Sequence, residues 1–271
     1  MNALLFNSTL VIYAVVTAVY LVYLLKPKEA LGKTGLWLTL AGFLVHCGFT
    51  LNRFLEAGHT PITNLHESLS FFSLSVVGIF LLLERRYKIS ILGSFMMPLA
   101  LLIMAISASF STVIPPLNPA LKSRWLAVHT IMAFLGYAAF AISFGVSIMY
   151  LIQSHFLKTR RLGSMFQKLP SLDILDDISY RCLTFGFPLL TFAIISGAIW
   201  AETAWGTYWS WDPKETWSLI TWFIYAALLH GRLTTGWRGR KAAMLSIFGF
   251  VIMLFTFLGV NLLLPGLHSY K

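Results

Sequence analysis

Two kinds of group in this chain could do chemistry beyond packing: imidazoles and a crowd of indoles. There are seven histidines, at positions 46, 59, 66, 129, 155, 230 and 268. A neutral imidazole offers one nitrogen lone pair to a metal and one N–H to a partner. From Trp205 to Trp217 the chain reads W-G-T-Y-W-S-W-D-P-K-E-T-W, with Trp200 and Trp222 close on either side. Indole rings bury large flat areas against other flat groups, so this stretch is suited to stacking on a planar apolar ligand. Cysteine chemistry is sparse: Cys47 and Cys182 are too far apart in the expected topology to bridge, and no C-x-x-C or C-x-x-C-H occurs. That argues against a thiol oxidoreductase and against covalent attachment of a prosthetic group to this chain.

The elements that must position these groups are membrane helices. Of 271 residues 58% are hydrophobic and 11% charged, and the mean hydropathy is +0.77. A spanning helix needs about 20 mostly apolar residues, and eight runs qualify: Leu4–Leu25, Thr34–Leu55, Leu69–Leu83, Ile89–Phe110, Trp125–Gln153, Tyr180–Ala201, Pro213–Arg232 and Ala242–Leu264. The third can begin earlier, near Leu65. The expected fold is all-α: a polytopic membrane protein of about eight transmembrane helices, forming a single integral membrane domain over 1–271. Its longest polar connection is His155 to Ser179. The first run lacks a basic leader and an A-x-A cleavage site, and reads as a retained helix.

Charge fixes the expected orientation. With the N-terminus outside, the inner connections 26–33, 84–88, 155–181 and 231–241 carry 15 of the 20 Lys and Arg residues. The positive-inside rule then places both termini on the outer (periplasmic or lumenal) side. The net charge of +10 is a topology signal, and no nucleic-acid partner is expected.

Depth sorts the histidines. His129 follows Arg124 into a descending span and lies within about 8 Å of the outer boundary. His268 follows the last span as it emerges outside. These two share one depth with the Trp-rich connection, 202–217. His230 lies about 25 Å deeper, close to the inner boundary. His46 is near mid-membrane, where an interhelical hydrogen bond is the plain explanation. His155 reads as an interfacial cap, and His59 and His66 belong to the outer connection, where His66 rivals His129 or His268. Asp212-Pro213-Lys214-Glu215 carries an N-cap, a first-turn proline and a capping-box glutamate, so Asp212 and Glu215 are expected to start the seventh span. Asn64-Leu65-His66-Glu67 starts the third in the same way.

An interfacial aromatic belt explains one or two tryptophans, but not Trp205, Trp209, Trp211 and Trp217 together. A flat ligand held between two imidazoles would explain them. Haem is the obvious candidate, ligated by His129 and His268, with Lys122, Arg124, Lys214 or Arg53 facing its propionates. A quinone is the alternative ligand; it would use the aromatics without two histidines.

W-G-T-Y-W-S-W-D-P-K-E-T-W-S resembles the WWD signature of haem-handling membrane proteins of cytochrome c biogenesis. The D-P-K-E-T-W ending, followed by L-L-H-G-R, is similar to the CcsA (ResC) family of the system II pathway. P-I-T-N-L-H-E-S-L, W-L-A-V-H-T and the C-terminal L-H-S-Y support it. The resemblance implies that His129 and His268 ligate haem b beside the WWD segment (Trp205, Trp209, Trp211, Asp212, Trp217). It implies that His230 belongs to an inner haem site whose second histidine lies on a CcsB (ResB) subunit. The complex would act as a holocytochrome c synthetase, or haem lyase, joining haem to the C-x-x-C-H thiols of apocytochrome c. Those thiols would be kept reduced by a thioredoxin-like protein. The expected location is the bacterial plasma membrane, with the plastid thylakoid as alternative. A haem-binding exporter or regulator of the same fold is the alternative function.

Overall fold

In the computed structural model, residues 1–114, 123–160, 163–264 and 266 are described. Ten α-helices run in chain order: α1 (Asn2–Leu25), α2 (Glu29–Ala57), α3 (Leu65–Tyr87), α4 (Gly93–Ser107), α5 (Arg124–Lys158), α6 (Ser164–Lys168), α7 (Leu172–Trp205), α8 (Pro213–Thr234), α9 (Arg240–Leu254) and α10 (Val260–Leu263). A 3₁₀ turn precedes α4, and a π-helical turn, Phe255–Gly259, joins α9 to α10. No strand occurs among the described residues. Seven of the segments are long and apolar enough to cross a membrane. α8, the seventh span expected from the sequence, has the length at 22 residues but is not among them, because His230, Arg232 and interspersed Thr, Ser and Trp residues dilute its apolarity.

The caps are where the sequence puts them. Asn64 accepts a hydrogen bond from the Glu67 amide at 2.9 Å and α3 begins at Leu65, four residues before the apolar run. Asp212 caps α8 with a complete capping box. The polar connection His155–Ser179 is different from expectation: α5 continues to Lys158, α6 fills part of the gap, and α7 starts at Leu172. Helical backbone hydrogen bonding is not confined to the lipid-facing run, so apolar length underestimates helix length. At 35 and 34 residues, α5 and α7 are each about 50 Å long, well beyond a hydrocarbon core of about 30 Å.

The chain divides into two compact units, Met1–Ile114 with Ile152–Ser171, and Pro115–Leu151 with Leu172–Lys271. In the first, α1 packs on α2 and α4, and α3 on α2 and α4. Its interior carries polar stations. The buried His46 ring lies between the Tyr13 hydroxyl (3.1 Å from Nδ1) and the Ser70 hydroxyl (2.8 Å from Nε2). Arg53 donates from Nε to Glu67 at 2.8 Å and from Nη1 to the Thr112 carbonyl at 2.7 Å. Both side chains of that ion pair are sealed, at 3% and 0% exposure. The other Glu67 oxygen accepts from the Thr63 amide and hydroxyl, each at 3.0 Å.

The second unit is tied through its centre by three hydroxyls. Ser143 of α5 lies 2.9 Å from Ser179 of α7 and 2.8 Å from Ser246 of α9. Phe140 stacks on Tyr225 of α8 with ring centroids 3.7 Å apart. Large apolar side chains such as Leu44, Phe185, Phe192 and Phe248 are exposed, as lipid-facing surfaces require.

Candidate functional site

The site grows from α5, α7 and α8 of the second unit. His129 sits in the second turn of α5 and reaches across to α7, where its Nδ1 lies 2.7 Å from the Ala193 carbonyl. A carbonyl oxygen can only accept, so Nδ1 carries the proton and Nε2 carries the lone pair. That is the tautomer a metal-binding imidazole needs, with its other nitrogen oriented by a carbonyl. The ring lines a cavity of about 70 Å³. Ala193, Gly197 and Ala201 of α7 line it too, with Tyr208 and Trp209 from the Trp-rich segment and Lys214, Glu215 and Thr256 beyond them.

The Trp-rich segment is built around the α8 cap. Glu215 accepts from the Ser210 amide at 2.8 Å and from the Asp212 amide at 3.2 Å. Asp212 in turn accepts from the Lys214 amide at 3.2 Å. These bonds use the carboxylates for folding the turn that presents the rings. Trp211 pays for the geometry with φ +58°, a left-handed conformation uncommon for a bulky residue. A methyl group at Gly266 would meet the Asp212 carboxylate, so the chain two residues before His268 passes directly over this cap. The Lys214 ammonium donates to Asn261 Oδ1 at 3.0 Å.

The expected site residues separate. His129 and Trp209 share one cavity. Trp205 packs edge-on against Trp200 at 4.8 Å, and Trp211 is 68% exposed and packs edge-on against Trp209 at 5.7 Å. Trp217 packs against Phe255 at 4.5 Å. His268 and Lys122 lie outside the described residues. His230 is exposed on α8, a surface placement. Of the described propionate-facing candidates, Arg53 is enclosed by Glu67 in the first unit, and Lys214 lines the His129 cavity.

The remaining histidines have structural surroundings. His46 has a hydroxyl at each nitrogen. His66 is buried against Phe6 and Phe49, with Nδ1 3.0 Å from the Ser107 carbonyl. It stands in the first unit and is not among the residues lining the His129 cavity. His155 is exposed, and His59 contacts the Thr60 carbonyl at 3.1 Å. Among the described residues no group of three or more His, Cys, Asp or Glu could hold a bare metal ion.

Sequence reading missed the α7 wall. Its signal is the spacing Ala193, Gly197, Ala201, three small residues four apart on one face, a pattern that lets another helix approach closely. A second cleft in this unit, about 780 Å³, lies at the other ends of α5 and α7. There Arg232 pairs with Asp176 and stacks on Tyr180 at 4.5 Å.

Known proteins align with these features. A family model described as "Cytochrome C assembly protein" matches residues 62–268, from just before α3 through the C-terminal histidine. A cytochrome c biogenesis protein CcsA of Guillardia theta is 42% identical over 241 residues, covering 80% of this chain and 79% of its own. The CcsA of Gloeobacter violaceus is 38% identical, covering 99% of this chain and 96% of its own. Among solved structures, a chain named cytochrome c haem lyase CcmF superposes with a TM-score of 0.68 at 17% identity. That match covers 94% of this chain but 46% of the CcmF chain, and is a likeness of fold. The signature over the α8 cap, the helical architecture and the extent of these matches together place the chain in the CcsA family of cytochrome c biogenesis proteins.

Proposed function

We propose that this chain binds haem b as a substrate and presents it for attachment to apocytochrome c. The observation that carries the reading is the His129 imidazole, with Nδ1 committed to the Ala193 carbonyl, at the wall of a cavity shared with Trp209. Family membership and the likeness of fold to a haem lyase support it. At about 70 Å³ the cavity is far below the roughly 300–1,000 Å³ of pockets that enclose small molecules. A tetrapyrrole would therefore lie at its mouth, edge toward the aqueous side, against Trp209 and Trp211.

In this reading eight helices span the membrane and both termini face outward. His129 and His268 hold the iron, Trp205 and Trp217 brace the segment, and Asp212 fixes its turn. Lys214 is the cation nearest the site for a propionate. Fixing one ring face and one edge near the surface is a positioning contribution to thioether formation; the bond-making chemistry belongs to the haem and the apocytochrome thiols. His230, exposed on α8, suits a site completed by a CcsB (ResB) subunit. The assembly would be a holocytochrome c synthetase supplied with reduced thiols by a thioredoxin-like protein, in the bacterial plasma membrane or alternatively the thylakoid.

The test is an absorption spectrum of the purified protein with and without dithionite. A Soret band with low-spin features is expected, weakened in His129→Ala and His268→Ala. His230→Ala is expected to lower the haem reaching that site. Full haem content and cytochrome maturation in both outer variants would overturn the assignment.

A further inference from the structure

The close crossing of α5 and α7 has a consequence for His129. A methyl group at Gly136 would lie 3.1 Å from the Gly186 carbonyl oxygen and 3.3 Å from the Leu190 nitrogen. A methyl group at Gly186 would lie 2.7 Å from the Phe140 ring. The two backbones therefore touch where Gly136 meets Gly186. His129 is seven residues from Gly136, and Ala193 is seven residues from Gly186. In two antiparallel helices both climb about 10.5 Å from the crossing, which brings the imidazole level with the Ala193 carbonyl. One turn further along α7 is Gly197, and there a methyl group would lie 2.7 Å from His129 Nδ1 and 2.9 Å from its Cε1. The ring occupies the space a side chain would fill.

We propose that Gly197 is a positioning residue: the missing side chain forms the seat that holds the His129 ring against Ala193 and aims Nε2 at the ligand. This rests on the haem reading above for what the ligand is, but not for the seat itself. Helix propensity favours alanine over glycine at 197, so an unobstructed position would accept alanine without loss. Here alanine must push the ring off the carbonyl, and Nδ1 loses its fixed acceptor. Losing such an orienting partner weakens metal binding by roughly 10–100-fold.

The experiment uses the full chain in detergent, as wild type and Gly197→Ala, with two readouts. In haem titrations, Gly197→Ala is expected to bind about tenfold more weakly and to shift from low-spin toward high-spin bands. Free imidazole should restore the low-spin bands by taking the vacated ligand position. Independently of haem, modification of His129 by diethylpyrocarbonate, read by mass spectrometry, should differ between wild type and Gly197→Ala as the ring leaves the Ala193 carbonyl and its tautomer is no longer fixed. Wild-type affinity, spin state and His129 reactivity in that variant would overturn the proposal. Wild type without haem affinity but with the reactivity difference would overturn the haem reading and leave the seat standing. Should Gly197→Ala fail to fold, the pair His129→Ala/Gly197→Ala decides: removing the ring should restore folding, and a pair that fails equally overturns the seat.

Discussion

His46 and His129 both lie in apolar helices, yet their surroundings are opposite. His46 is fully enclosed, with a hydroxyl at each ring nitrogen. His129 gives one nitrogen to a backbone carbonyl and borders a cavity with aromatic walls. The same contrast holds between the regions around them. In the first unit Arg53 and Glu67 answer one another. In the second, Glu215 and Asp212 build the Trp-rich loop and the Ala193 carbonyl orients a ring. A histidine on an apolar helix is therefore read by what surrounds its ring, more than by its depth.

Substitutions can break that contrast. The largest effect is expected at Arg53. Arg53→Ala leaves Glu67 buried and uncompensated, which should cost about 3–5 kcal/mol in thermal unfolding in detergent, with haem affinity per folded molecule unchanged. A loss below about 1 kcal/mol, as for an exposed pair, would mean the pair is not sealed. His46→Phe strands the Tyr13 and Ser70 hydroxyls and should cost about 1–3 kcal/mol. If it also bleaches the Soret band, His46 is not merely structural. Asp212→Ala removes the α8 cap, for about 1 kcal/mol. Because that cap shapes the Trp-rich turn, cytochrome maturation should fall further than the melting temperature suggests; equal, small effects on both would confine Asp212 to capping. His129→Ala should change stability least, by under about 1 kcal/mol, since one partly buried hydrogen bond is lost. It should nonetheless remove most bound haem, and a stability loss matching that of His46→Phe would erase the distinction.

The helices, the caps at Asn64 and Asp212, and the grouping of His129 with Trp209 were legible in the sequence, because apolar runs, capping residues and depth are local properties. The His129 seat was not. It consists of a carbonyl at Ala193 and a missing side chain at Gly197, and neither is a chemical group that residue type announces. The extra turns of α5 and α7 were hidden for a related reason: hydropathy reports where lipid is, and helix hydrogen bonds continue past it. The division of the tryptophans was equally unreadable, since thirteen residues of sequence do not say that Trp205, Trp209 and Trp217 pack against three different partners.

The π-helical turn at Phe255–Gly259 sets the phase of α10 after it. Such a turn inserts one residue into the α-helical repeat, about 100° of rotation. With that rotation Asn261 faces inward, 3% exposed, and meets Lys214. Deleting one residue from the turn would restore a regular helix and swing Asn261 about 100° away from the Lys214 ammonium. The number of residues between Phe255 and Asn261 is thus itself a structural quantity. A chain with all the right side chains and one residue fewer would turn the wrong face of α10 toward Lys214.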